Sequence, residues 1–154
     1  MNREEKLNWY KNEFENIHES VKNKKELSYF DFLRIRNFKL QNSSTENEEH
    51  IKQITEESFE LAKDDKIIEA INKLLELNGV AIPIASTILA MKFPEKYAII
   101  DRRVIVALDK EDWIKDYLKN PQTYEKYLLL MRDGSKSKGM KLRDYERMLF
   151  EGKD

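Results

Sequence analysis

The stretch Leu74–Leu108, LLELNGVAIPIASTILAMKFPEKYAIIDRRVIVAL, decides the fold. It is entered from a periodic segment: Ile67, Ile71, Leu74 and Leu75 recur three or four positions apart, which places them on one face of a helix from Lys66 to Leu77. Asn78-Gly79 ends that helix, because glycine closes a helix in the left-handed conformation without a Cβ penalty. A turn through Val80, Ala81 and Ile82 follows. Pro83 lacks the N–H that a first helical turn leaves unpaired anyway, so it suits the start of a second helix carrying Ile84, Ala85, Ile88 and Leu89. Asp101 then precedes the apolar run Val104, Ile105, Ala107 and Leu108, a position where a carboxylate caps exposed N–H groups and meets the positive end of a helix dipole.

Outward from this stretch the chain keeps a helical period. Leu7, Tyr10, Phe14, Ile17 and Val21 alternate at three and four and make the buried stripe of a first helix with a charged outer face. LSYFDFLRIRNFKLQ reads as helix or extended chain, since Phe30 and Phe32 alternate as in a strand. QNSSTENEEH is a polar loop, from which Thr45 and Glu48 offer a capping box for a helix carrying Ile51, Ile54, Ser58 and Leu61. Asn120-Pro121 starts a helix with Tyr124, Tyr127, Leu128 and Met131 inward, DGSKSKG reads as a flexible basic loop, and Leu142, Tyr145, Met148 and Leu149 form a last short helix. Only 4 Gly and 3 Pro punctuate the sequence, too few for a β-rich domain that must turn often. The expectation is a compact all-α fold in one domain over residues 1–154, consistent with ~100 to 200 residues per domain.

Composition narrows the chemistry. The absence of Cys excludes thiolate metal sites, iron–sulfur clusters, disulfides and thiol catalysis, and His18 and His50 are too few for a His-based metal centre. Both read as surface residues, and neither a metal nor an organic cofactor is expected. With 28 basic against 29 acidic side chains the net charge is −1, so any attraction to a polyanion must come from a local patch. No run approaches the ~18 apolar residues of a spanning helix, and the opening MNREEKLNWY is polar where a signal peptide needs an apolar core. No membrane association and a cytoplasmic location are therefore expected. The stripe from Leu7 to Val21 leaves both a monomer and a helix-mediated dimer open.

The Leu74–Leu108 stretch resembles the core of the helix-hairpin-helix DNA glycosylase superfamily. The residues that carry the likeness are Leu77, Gly79 and Val80 in the hairpin, Ala85, Ile88 and Leu89 in the second helix, and Asp101 in AIIDRRVIVAL. It is most similar to the monofunctional adenine-mismatch branch, without that branch's cluster-binding cysteines. The resemblance implies a helix-hairpin-helix over about residues 66–92. It further implies DNA repair by hydrolysis of the N-glycosidic bond of a damaged or mismatched base, with Asp101 stabilising the developing oxocarbenium ion and orienting or deprotonating the water. The branch with lyase activity carries a lysine where this chain has Pro83, so lyase chemistry is not implied. The second hairpin glycine is replaced by Ala81, whose Cβ stands where a phosphate would approach.

DNA is the implied partner, held by its backbone phosphates. A tight turn feeding a helix N-terminus offers N–H groups to a phosphate, which assigns Gly79, Val80, Ala81 and Ile82 to DNA binding. Arg102 and Arg103 beside Asp101, and Lys136 and Lys138 in the basic loop with Lys141 and Arg143 after them, are the candidate flanking cations. Arg34, Arg36 and Lys39, interleaved with Phe32, Ile35 and Phe38, make a second mixed patch suited to backbone contact and stacking. Trp9, Tyr29, Phe30 and Phe32 are chemically able to hold a flipped base. Two other readings remain beside the hydrolase. One is a catalytically silent DNA-binding module, favoured by Pro83 and Ala81; the other is a helical protein-interaction domain, favoured by the near-zero net charge.

Overall fold

The computed structural model describes residues 1–39 and 46–152. Among them all regular structure is helical: α1 (Arg3–Val21), α2 (Tyr29–Lys39), α3 (Glu48–Lys63), α4 (Ile67–Leu74), α5 (Ile82–Lys92), α6 (Arg102–Ala107), a 3-10 turn at Glu111–Trp113, α7 (Pro121–Ser137) and α8 (Leu142–Glu151). The segment left open between helix and strand is helix α2. Phe32 and Ile35 point into the core while Phe30 is 72% exposed, the three-residue spacing of a helix face.

α5 is the centre of the molecule. Every residue from Ile82 to Lys92 is buried, and α1, α2 and α4 all pack against it. That suits a helix with no charge before its last residue. Pro83 occupies the first turn and Ala81 the cap position. Around α5 the stripes read from sequence are inward: Phe14, Ile17 and Val21 on α1, Ile51, Ile54 and Ser58 on α3, Ile67, Ile71 and Leu74 on α4, and Tyr124, Tyr127, Leu128 and Met131 on α7. No helix among the described residues is long and apolar enough to cross a membrane.

The sole charged residue of α5 is spent on structure. Lys92 Nζ donates to the carbonyls of Val21 at 3.1 Å and Lys22 at 2.8 Å, and also to that of Lys24, closing the C-terminal end of α1. The same ammonium lies 5.4 Å from the Phe59 ring centre. Burial holds its pKa below the ordinary lysine value.

Three sequence expectations change. The cap of α3 is Asn47, whose side chain accepts from the His50 N–H at 2.9 Å; Thr45 lies outside the described residues. Asp133–Ser137 is not a loop but the end of α7. Gly134 does not break the helix there; it makes room for α8, since a Cβ on it would stand 2.3 Å from the Tyr145 hydroxyl. His18 is not a free surface residue: its Nδ1 is 2.7 Å from the Met91 carbonyl.

Candidate functional site

Asp101 is delivered by a buried segment outside any helix, Tyr97 to Ile100. Backbone polar groups buried without a helix or sheet need other partners, and here side chains supply them. Tyr124 and Tyr127 hydroxyls donate to the carbonyls of Ala98 (2.8 Å) and Ile99 (2.6 Å). The Ile100 N–H donates to Ser86 Oγ of α5 at 3.0 Å, and the Ile99 N–H to Glu146 Oε1 of α8 at 3.0 Å. Burial pushes both tyrosine hydroxyls well above their ordinary range, so they stay protonated donors.

The segment ends with Asp101 as the cap of α6, Oδ1 accepting from the Arg103 N–H at 2.8 Å. Oδ2 is 2.8 Å from Lys39 Nζ, with the two side chains 19% and 18% exposed. The pair stands between two concavities and lines both. On one side is a pocket of ≈ 170 Å³ walled by Tyr10, Phe38 and Phe150, with Arg143 and Glu146 among its polar residues. On the other is a groove of ≈ 350 Å³ bounded by Ala81, Pro83, Arg102, Tyr117 and Leu118. Glu146 is buried; burial pushes its carboxyl above the ordinary glutamate value against the pull of Arg143, whose NH1 donates to Oε2 at 2.6 Å. The Arg143 guanidinium lies 3.9 Å from the Phe14 ring centre.

The turn before α5 is tied to its neighbours. Gly79 has φ +76°, and its carbonyl accepts from Arg36 NH2 at 3.0 Å. The Asn78 N–H donates to Glu46 Oε2 at 2.8 Å, and the Ile82 N–H to the Leu118 carbonyl at 3.2 Å. Val80 and Ile82 side chains are buried, whereas Gly79 and Ala81 are exposed. Burial would raise the Glu46 carboxyl, but hydrogen bonds from the Asn78 N–H, His50 and the Asn47 N–H bring it below its ordinary value.

Of the candidate residues, Asp101, Arg102 and Ala81 share one groove. Arg103 is exposed and rests 4.5 Å over the Phe150 ring of the pocket wall. Lys136 and Lys138 are exposed at the end of α7, with Lys136 in a different groove. The Arg34, Arg36 and Lys39 patch does not exist as a solvated stripe: Arg34 pairs with Glu13 at 3.2 Å, Arg36 is buried on Gly79, and Lys39 is on Asp101. Phe32 is fully buried in the core and cannot stack on a base. Trp9 is 46% exposed and stacks on Phe38 at 6.4 Å and 17°.

Sequence reasoning missed Lys39 as the partner of Asp101, and it missed Glu146 and Tyr10. Glu146 left a signal: it lies four residues after Leu142 and one after Tyr145, on the inward face of α8. Among the described residues no group of three or more His, Asp or Glu side chains is arranged to hold a metal. No protein-family model matches the chain, nor does any curated protein or solved structure.

Proposed function

We propose that this chain is a monofunctional DNA glycosylase-like hydrolase built on a helix-hairpin-helix, in which α4, the Gly79 turn and α5 are the hairpin and Asp101 acts at the sugar. The observation that carries the reading is the place of Asp101, fixed by four side-chain hydrogen bonds to the segment before it and lying between an aromatic-walled pocket and the groove beside the turn. In the proposed reaction a base enters the pocket between Tyr10, Phe38 and Phe150 while its sugar stays beside Asp101. The N-glycosidic bond breaks with its electron pair leaving on the base. Asp101 stabilises the cationic sugar, and water adds its hydroxyl at C1′ while the displaced proton passes to the base. Lys39 must move off Oδ2 for this, and an incoming backbone phosphate supplies the competing anion.

The test is incubation of wild type and Asp101→Asn with labelled duplexes carrying a panel of damaged and mismatched bases, followed by hot alkali to reveal abasic sites. We expect base release by wild type that falls by roughly 10²-fold or more in Asp101→Asn; full release by the variant sinks the assignment. The occupation of both Asp101 oxygens by Arg103 N–H and Lys39 favours a second reading, a catalytically silent DNA-binding module. Duplex binding with no release by wild type decides for that one.

A further inference from the structure

A third concavity is formed by the turn after α5, the end of α7 and the start of α8. It is an open groove of ≈ 660 Å³, and its lining brings together Lys96, Arg132, Lys136, Lys141 and Arg143 with Glu95 as the one carboxylate among the lining residues. In a chain whose net charge is −1, this concentrates positive charge on one face. Two of the five cations are matched by carboxylates, Arg132 donating through its two terminal nitrogens to Asp65 at 2.9 and 3.0 Å and Arg143 to Glu146, so the excess positive charge is carried by the lysines. Lys96 donates to a neutral acceptor, the Lys63 carbonyl at 3.2 Å, so its charge is uncompensated by that bond. Lys136 and Lys141 are exposed. The remainder of the lining is Pro94, Met140 and Leu142, with Ser135.

Lysines around two paired arginines suit an evenly charged, repetitive anion, because lysine is a point charge that tolerates changes of register where a bidentate site does not. Arg143 lines both this groove and the Asp101 pocket, so the two lie on either side of one side chain. We propose that this groove carries the backbone phosphates of a DNA strand flanking the nucleotide at Asp101, and that it supplies most of the electrostatic hold on the partner, in place of the Gly79 turn. The inference rests on the glycosylase-like reading only in taking DNA as the ligand. Lys96 and Arg132 enter the DNA-binding surface for the first time by this geometry.

The test is binding of a short labelled duplex without any lesion, followed by anisotropy across about 50 to 200 mM salt. Three proteins are compared: wild type, the groove variant Lys96→Gln/Lys136→Gln/Lys141→Gln, and a control with the same charge change elsewhere, Lys22→Gln/Lys25→Gln/Lys52→Gln. Each lost phosphate contact flattens the log–log salt slope by about 0.9, so the groove variant is expected to be shallower by about two to three and the control to keep the wild-type slope. Thermal melting of both variants establishes that each is folded before its slope is read. An unchanged slope in the groove variant, or an equal flattening in the control, overturns the groove while leaving Asp101-dependent base release intact. A wild type that binds no duplex at any of these salts overturns both this inference and the proposed function. Release that requires Asp101, with a slope that requires the groove lysines, supports both.

Discussion

The inner and outer walls around Asp101 are built on different principles. The inner wall, α5 and the Tyr97–Ile100 segment, is mostly apolar and buried throughout; the Tyr124 and Tyr127 hydroxyls donate to its carbonyls, and the Ile100 N–H donates to Ser86 Oγ. The outer wall, α2 and α8, sets charged side chains in pairs beside the rings of Phe38 and Phe150: Lys39 with Asp101, Arg143 with Glu146, Arg147 with Asp144. The inner wall places a backbone, and the outer wall places functional groups on it. Burial without polar partners would leave the inner backbone unsatisfied, so the walls are welded at few points, of which Glu146 to the Ile99 N–H is the deepest.

The most damaging way to break that contrast is to cut the weld. Glu146→Ala leaves the Ile99 N–H and the Arg143 guanidinium without their carboxylate, and breaking a buried pair from one side costs about 3–5 kcal/mol. Chemical denaturation of wild type and variant measures it; a loss below about 1 kcal/mol would mean that water replaces the carboxylate and that the outer wall is not joined to the inner one there. A smaller break is Gly134→Ala, which puts a methyl 2.3 Å from the Tyr145 hydroxyl and pushes α8 off α7, an overpacking cost of about 1–3 kcal/mol read by the same method.

The smallest effect sharpens the comparison, because it tests an outer ion pair alone. Asp31 accepts from Lys24 at 2.7 Å and from the Ser28 N–H at 3.1 Å. Burial acts to raise its carboxyl, but those bonds win and hold it below the ordinary 3.8. A depressed carboxyl contributes stability that is present above pH 3.8 and is lost as the pH falls through the lower folded value. Wild type is therefore expected to exceed Asp31→Asn in stability at neutral pH, with the gap closing below about pH 3.8 in a pH series of thermal melts. A gap that does not depend on pH would assign the loss to packing and not to charge.

The inner wall was legible in the sequence and the outer wall was not. Pro83, Gly79 and the Asp101 cap are local signals, each acting within one turn of the chain, and the apolar run from Ile82 to Met91 can only be a buried helix once Pro83 starts it. Lys39 meets Asp101 across 62 residues of sequence and Glu146 meets Ile99 across 47. A charged residue looks the same in sequence whether it is solvated or paired in the interior, so Arg36 and Lys39 read as a solvated patch. The DGSKSKG segment misled for the converse reason: a glycine that serves helix packing is indistinguishable by type from one that ends a helix.

Lys92 has an electrical consequence. It stands in the last turn of α5 and donates to the last carbonyls of α1, so the negative ends of two helix dipoles converge on one internal counter-ion. The opposite pole of α5 has no acidic residue in its first turn and no side-chain cap. The central helix is thus neutralised at one end and open at the other, and the open, positive pole is the one at Ala81 and Pro83, in the groove that Asp101 and Arg102 share.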